Sequence, residues 1–397
     1  MKIAILREGK IPPDKRVPLL PAQCLTLQNM YPQLSFLIQS SAVRCVEDAE
    51  YEALGLTVCE DVSEADIFFG VKEVQVDSLV SDKTYFFFSH TIKKQPYNRN
   101  LLRTILQKNI QLLDYECLTN LNGERVVAFG RFAGLVGAYN ALRLYGIRYE
   151  AFVLKPAYEC RDLVELAQEF KKVQLPALKI AITSIGRVGK GAKEILDLAG
   201  IKQVSTEDYL TKEFSEVVYV CLRSKDYIKE KTDEAQSFYK NPSAYESDFQ
   251  KFYQVTDMLI TAHFWDVRGP ALFEKEEAKR SDFKIKIIAD ITCDVKGSIP
   301  ITLRTSTITE PFYDYNPTTE QAEKAFNDDG NITIMAVDNL PSELPLDASR
   351  SFGEQLMLQV FPALLEGDTH DVLKKATVTE SGHLTPKFDY LTDFVGL

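Results

Sequence analysis

The stretch KIAITSIGRVGKGA, Lys179 to Ala192, reads as a strand that runs into a glycine-spotted turn and then a helix. Its apolar opening is the signature of a strand buried on both faces, as in a parallel sheet. The turn carries Ser184-x-Gly186-x-x-Gly189, with Gly191 following, and Ser184 stands where the dinucleotide fingerprint has its first glycine. Glycines in such a turn let the backbone approach a pyrophosphate at a helix N-terminus. Ser184, Gly186, Arg187, Val188 and Gly189 are therefore candidate cofactor-binding residues. The acidic residue expected about twenty positions on has candidates in Glu207 and Asp208. Arg187 offers an alternative, a cation for a 2′-phosphate. The cofactor expectation is NAD or NADP, with NAD favoured.

Strand-length apolar runs recur on both sides of this motif. VVYVCL (217–222), DMLITAHF (257–264), IKIIADI (285–291) and ITIMAV (332–337) continue the same unit. KIAIL (2–6), ADIFFGV (65–71), TYFFFS (84–89) and IQLLDY (110–115) form an earlier one. Strands separated by helical stretches imply mostly parallel sheets. The expected class is α/β, two Rossmann-like domains with an active-site cleft between them, the first domain discontinuous. FGRFAGLVGAYNALRLYG (129–146) reads as the connecting helix, and ASRSFGEQLMLQVFPALLEG (348–367) as a helix returning to the first domain. The expected boundaries are 1–131 plus 343–397 for a substrate and catalytic domain, and 132–342 for the dinucleotide domain. Residues 225–256, polar and aromatic-rich, read as an irregular insertion.

Composition narrows the function classes. A chain of 397 residues suits two domains, and 45% apolar with 26% charged residues argues against disorder. A net charge of −11 without a basic run argues against nucleic acid as a partner. A small-molecule substrate remains, because a local basic cleft can coexist with an acidic surface. Seven scattered cysteines without a CxxC pair read as free thiols, with no metal site expected. Strand-like KIAIL begins at residue 2, so no signal peptide is expected, and no apolar run is long enough to span a membrane. The expected compartment is the cytoplasm. The oligomeric state is left open.

In open α/β sheets, ligands bind beyond the carboxyl ends of the strands. In the first unit those ends carry Arg7 and Glu8, Lys72 and Glu73, His90 and Lys93, and Asp114 with Glu116. A lysine, a histidine and several carboxylates at one sheet edge can perturb one another's pKa values, which is equipment for general acid–base work on a polar substrate. In the second unit the later strand ends carry His263, Phe264, Trp265, Asp290 and Asp294, and the tract Val337 to Pro341.

The segments REGKIPPDKRVPLLP, FGVKE, FFFSHTIK, LLDYE, RVVAFGRFAGLVGA, SIGRVGKGA, ADITCDVKGSI, TSTITEPFYDY and VDNLPSELPLDAS together carry a resemblance. The chain resembles the superfamily of alanine dehydrogenase, transhydrogenase and lysine-forming saccharopine dehydrogenase. Within it the chain is similar to the lysine–ketoglutarate reductase domain of bifunctional aminoadipic semialdehyde synthase. The resemblance implies an NAD(P)-dependent oxidoreductase that interconverts saccharopine with L-lysine and 2-oxoglutarate. Lys72 and His90 match the catalytic pair, and Glu73 and Glu116 match carboxylates that tune it. Arg16 matches the arginine that binds a substrate carboxylate, and Lys93 a lysine of the saccharopine enzymes. Asp290 and the run Asp338, Asn339, Leu340 and Pro341 match positions beside the nicotinamide. Two other readings stand: alanine dehydrogenase or another opine dehydrogenase, and a non-catalytic nucleotide-binding protein whose loop is degenerate at Ser184.

Overall fold

The structure, a computed structural model, describes residues 1–231 and 237–396. It divides into two compact units, Met1–Phe129 with Pro345–Leu397, and Gly130–Leu344. The chain first lays down β1 (Lys2–Ile5), β2 (Ser35–Gln39), β3 (Thr57–Cys59), β4 (Ile67–Phe69), β5 (Thr84–Phe87) and β6 (Gln111–Asp114). All six are parallel, in the order β3-β2-β1-β4-β5-β6. This is the 3-2-1-4-5-6 order of dinucleotide-binding sheets. The strands are short and almost wholly apolar because helices cover both faces. Ile3, Ile5, Phe69, Phe86 and Phe87 are fully buried. Aromatic rings stack across neighbouring strands, Phe68 on Tyr85 at 4.6 Å and Phe69 on Phe86 at 4.5 Å between centroids. Strand order reverses at β1 and β4, so a crevice opens at their carboxyl ends.

The helix Gly130–Arg148 opens the second unit. There follow β7 (Lys179–Thr183), β8 (Lys202–Gln203), β9 (Val218–Leu222), a small antiparallel pair β10 (Ile228–Glu230) and β11 (Tyr245–Ser247), and β12 (Met258–Thr261). β13 (Ile287–Asp290), β14 (Phe312–Asn316), β15 (Gln321–Lys324) and β16 (Ile332–Met335) complete the unit. The main sheet runs β15-β14-β16-β13-β12-β7-β9-β8, antiparallel only at β14 and β15. Here β9 lies beside β7, and β8 is pushed one place outward. The helix Arg187–Leu198 crosses the helix Gly130–Arg148 so closely that a Cβ on Gly134 would lie 1.9 Å from the Val188 carbonyl oxygen. The chain then returns to the first sheet, adding β17 (Thr377–Glu380) and β18 (His383–Leu384) antiparallel beside β6.

Two sequence readings are corrected. The segment 225–256, read as irregular, carries β10, β11 and the short helix Gln250–Tyr253, and its Tyr227, Ile228, Tyr245, Phe249, Phe252 and Tyr253 are buried in the core of the second unit. Polar neighbours masked its aromatic spacing. Residues 232–236 of that segment lie outside the described residues. The helix read at 348–367 begins at Pro345 and is broken by a π-helical turn, Leu356–Val360, before Phe361–Leu365. Pro362 lacks an amide proton and its ring crowds the preceding turn, which a wider turn relieves.

Candidate active site

The first unit gathers its ionisable side chains at the crevice where strand order reverses. Glu8 follows β1 and its two carboxylate oxygens accept the backbone N–H groups of Val71 and Lys72, at 2.7 and 2.8 Å. That clamp fixes the turn after β4 and with it the backbone of Lys72. Burial pushes the Glu8 carboxyl up to about 7, against the pull of those two amides. Lys72, Glu8 and Glu73 line a cavity of about 250 Å³. Burial, then the positive charges of Arg16 and Lys10, hold the Lys72 ammonium down at about 8. A lysine in that range exchanges protons near neutral pH.

His90 sits beyond β5 with a left-handed backbone, φ 52°. Its Nδ1 lies 2.5 Å from Glu73 Oε1. A carboxylate only accepts, so Nδ1 carries the proton, and in the neutral ring Nε2 keeps its lone pair. Burial works against the Glu73 charge, but the hydrogen bond and charge of His90 hold its carboxyl at about 2. Lys10 adds an ion pair to Glu73 Oε2 at 3.5 Å. Glu116 is buried and paired with Lys93 and Arg125, each at 3.1 Å, and these cations hold its carboxyl below the usual range against burial. Among the described residues, Glu73 Oε2 and Glu116 Oε2 are buried without a hydrogen-bond donor.

Asp114 holds this arrangement from beneath. It is fully buried at the end of β6 and accepts the N–H and hydroxyl of Ser89 and the N–H of Glu116. It thus ties the residue before His90 to the turn that carries Glu116. Arg16 is 2% exposed; its guanidinium bonds Asp14 through Nε at 2.9 Å and Nη2 at 2.5 Å and lies 4.2 Å over the Phe129 ring. Sequence reasoning had no signal for Asp14, Lys10 or Arg125, because each matters only through its partner across the fold.

In the second unit the loop after β7 keeps the shape of a nucleotide-binding turn. Ser184 has φ 93°, the region a glycine prefers, so the fingerprint's backbone survives the replacement. Its Oγ accepts the Gly186 N–H at 3.0 Å. A Cβ on Gly189 would lie 2.2 Å from the Ser184 carbonyl oxygen, so the helix can start this close only with glycine there. Ile185, Gly186 and Arg187 are exposed at the mouth of the loop. An open glycine turn at the N-terminus of a twelve-residue helix fits a pyrophosphate.

The other candidates divide. Asp290 is fully buried and accepts the hydroxyls of Thr261, Thr292 and Thr302 at 2.5–2.6 Å, so it knits the ends of β12 and β13. Asp338 is exposed, Asn339 takes a left-handed turn with φ 66°, and Leu340 and Pro341 are buried beyond β16. His263 ends β12. Thr183 Oγ1 accepts the Ala262 N–H at 3.1 Å and shares a hydrogen bond with His263 Nδ1 at 2.7 Å. Burial keeps that imidazole neutral, with its pKa down at about 4. Trp265 Nε1 donates to the Pro270 carbonyl at 3.3 Å. Glu207 and Asp208 follow β8, one strand away from the loop they were expected to serve.

Residues 4–136 match the family model described as alanine dehydrogenase/PNT, N-terminal domain. That match lies wholly within the segment that builds the first sheet and the start of the helix Gly130–Arg148. A solved L-alanine dehydrogenase superposes over all of both chains with a TM-score of 0.66 at 18% identity, so the two sheets are the two Rossmann-like domains of that fold. The chain is 29% identical to alpha-aminoadipic semialdehyde synthase of Mus musculus over 98% of its own length and 47% of that protein. It is 24% identical to the saccharopine dehydrogenase [NAD(+), L-lysine-forming] of Emericella nidulans, covering 91% of each. The chain thus spans about half the length of the semialdehyde synthases it matches. Among the described residues, no helix is long and apolar enough to cross a membrane.

Proposed function

We propose that this alanine dehydrogenase-like chain is an NAD(P)-dependent amino-acid dehydrogenase that interconverts saccharopine with L-lysine and 2-oxoglutarate. The observation that carries the reading is the arrangement at the first crevice. It pairs a lysine depressed to about 8 with a histidine whose Nδ1 is held by a carboxylate. A binding protein has no use for two poised proton carriers. The choice of a saccharopine-type substrate is supported by the relatives of that name and by Lys93 beside Glu116.

Saccharopine, oxidised nicotinamide and water give lysine, 2-oxoglutarate, reduced nicotinamide and a proton. When bound, the nicotinamide supplies the hydride acceptor, and Ser184, Gly186 and Gly189 would hold its pyrophosphate. Lys72, in its neutral form, takes a proton from the substrate's secondary ammonium, exposing the nitrogen lone pair that drives formation of the protonated imine. His90, through Nε2, takes a proton from the water that adds to the imine carbon. It returns that proton to the departing nitrogen and then takes the hydroxyl proton as the carbinolamine collapses to the 2-oxo acid. The buried Glu73 and Glu116 oxygens receive the substrate's ammonium.

The test is absorbance at 340 nm with reduced nicotinamide, lysine and 2-oxoglutarate, each omitted in turn. Oxidation that needs both substrates is expected. Oxidation with pyruvate and ammonia instead would move the assignment to alanine, and none with any amine or keto acid would sink the dehydrogenase reading.

A further inference from the structure

β4 and β3 lie on opposite sides of β1 and β2 in the first sheet, and the segment that joins them, 60–66, holds no helix. Its far end is tied to the amino end of β1, where the Asp66 N–H donates to the Lys2 carbonyl at 2.9 Å. The chain therefore crosses the sheet from edge to edge with nothing helical to cover the face it passes. Connections in parallel sheets usually run through a helix that fills this space. Here a gap is left, the cavity of about 250 Å³ that reaches Lys72 and Glu73.

Leu6, Val62, Phe68 and Val80 give this cavity apolar walls. Lys72 and Glu73, after β4, stand at one rim. Arg7 after β1, Gln39 at the end of β2, and Glu60 with Asp61 after β3 stand at the other. β1 alone separates β4 from β2, so the two rims lie roughly 10 Å apart. A chain of four methylenes ending in an amino-acid head has that reach. The far rim carries both signs. Arg7 and Glu60 pair through two contacts, Nη1 to Oε2 at 2.9 Å and Nη2 to Oε1 at 2.5 Å, with 44% and 68% of their side chains exposed. So exposed a pair contributes little, and opening it for a ligand that offers both charges costs little. Asp61 adjoins Glu60 and is exposed. The Gln39 side-chain carbonyl accepts the Arg7 N–H at 3.2 Å, which fixes the Arg7 backbone.

Resting on the amine dehydrogenase reading above, we propose that this cavity is the subsite for the lysine limb of the substrate. The reacting nitrogen lies at Lys72 and Glu73, the methylene stem runs along the apolar walls, and the head is read at the far rim. There Arg7 takes the α-carboxylate, and Glu60 and Asp61 take the α-ammonium. Alanine has no limb to fill this space, so the same cavity separates a long diamino acid from a short amino acid.

The test is reductive amination by the whole chain, followed by loss of reduced nicotinamide, with 2-oxoglutarate and each of three amines. These are L-lysine, cadaverine, which lacks the carboxylate, and 6-aminohexanoate, which lacks the α-ammonium. L-Lysine is expected to exceed each of the others in kcat/KM by about 10–100-fold, the worth of one charge-assisted hydrogen bond. Arg7→Ala should raise KM for lysine and shrink its preference over cadaverine to within about threefold, and Arg7→Lys should restore part of it. Glu60→Gln with Asp61→Asn should do the same to the preference over 6-aminohexanoate. Cadaverine used as well as lysine by the native chain, or Arg7→Ala slowing every amine alike or keeping the preference, overturns this assignment alone. No oxidation of reduced nicotinamide with any of the three amines overturns the opine reading with it.

Discussion

Glu73 acts on both His90 and Lys72, and its substitution separates the two roles proposed for them. It holds His90 by a 2.5 Å hydrogen bond, and its negative charge raises the Lys72 pKa against burial. Glu73→Gln removes the charge and keeps the shape. Lys72 should then titrate below about 8, and the acidic limb of the rate profile for amine oxidation should move to lower pH. Turnover should fall by about one order of magnitude, less than the two to four that loss of the general base costs. A limb that stays in place would mean that Glu73 does not feel Lys72. Much at this scale was legible in the sequence, because Lys72, Glu73, His90 and Glu116 all end or follow apolar runs. What sequence could not show is pairing. Asp14 with Arg16, Glu8 with the Val71 and Lys72 amides, and Arg125 with Glu116 are fixed by turns whose geometry no spacing rule encodes.

At the scale of elements, the loop after β7 tests whether a replaced glycine disables a fingerprint. Ser184 holds φ 93° and takes the Gly186 N–H on its own hydroxyl, a donor that would otherwise face a phosphate. Ser184→Gly relieves backbone strain of about 1–2 kcal/mol, and the extra chain entropy of glycine offsets about 0.5–1 kcal/mol of it. Stability should therefore rise by no more than about 1.5 kcal/mol. Nucleotide affinity should rise by about tenfold, since one amide donor is returned to a phosphate. Unchanged affinity in a titration would show that this N–H does not meet the nucleotide. Strands were the most legible elements, since runs such as IFF and TYFF are buried on both faces and have no polar phase to confuse them. The hairpin β10 and β11 and the short helix Gln250–Tyr253 were missed, because their buried aromatics are spaced among charged residues.

At the scale of the whole molecule, the two sheets share a class but not an order. The first runs 3-2-1-4-5-6; the second exchanges the strands that would be numbered two and three. Strand order is a property of which edges meet, and neither β8 nor β9 advertises its neighbour in sequence. That is why Glu207 fitted the spacing rule and yet stands one strand away from the glycine loop. The arrangement of acid–base groups survives such changes because it is built on the first sheet, where the order keeps Glu8 and Lys72 side by side.

The central claim is that Lys72 is the base of an amine dehydrogenase, and the pH dependence of kcat/KM for saccharopine oxidation tests it most directly. Lys72 accepts a proton only when neutral, and burial places its pKa at about 8. The rate should rise with pH through about 8 and level off above it. Lys72→Met should lower turnover by about two to four orders of magnitude and abolish that limb. A variant within threefold of the native enzyme, or one that keeps the same limb, would contradict the account.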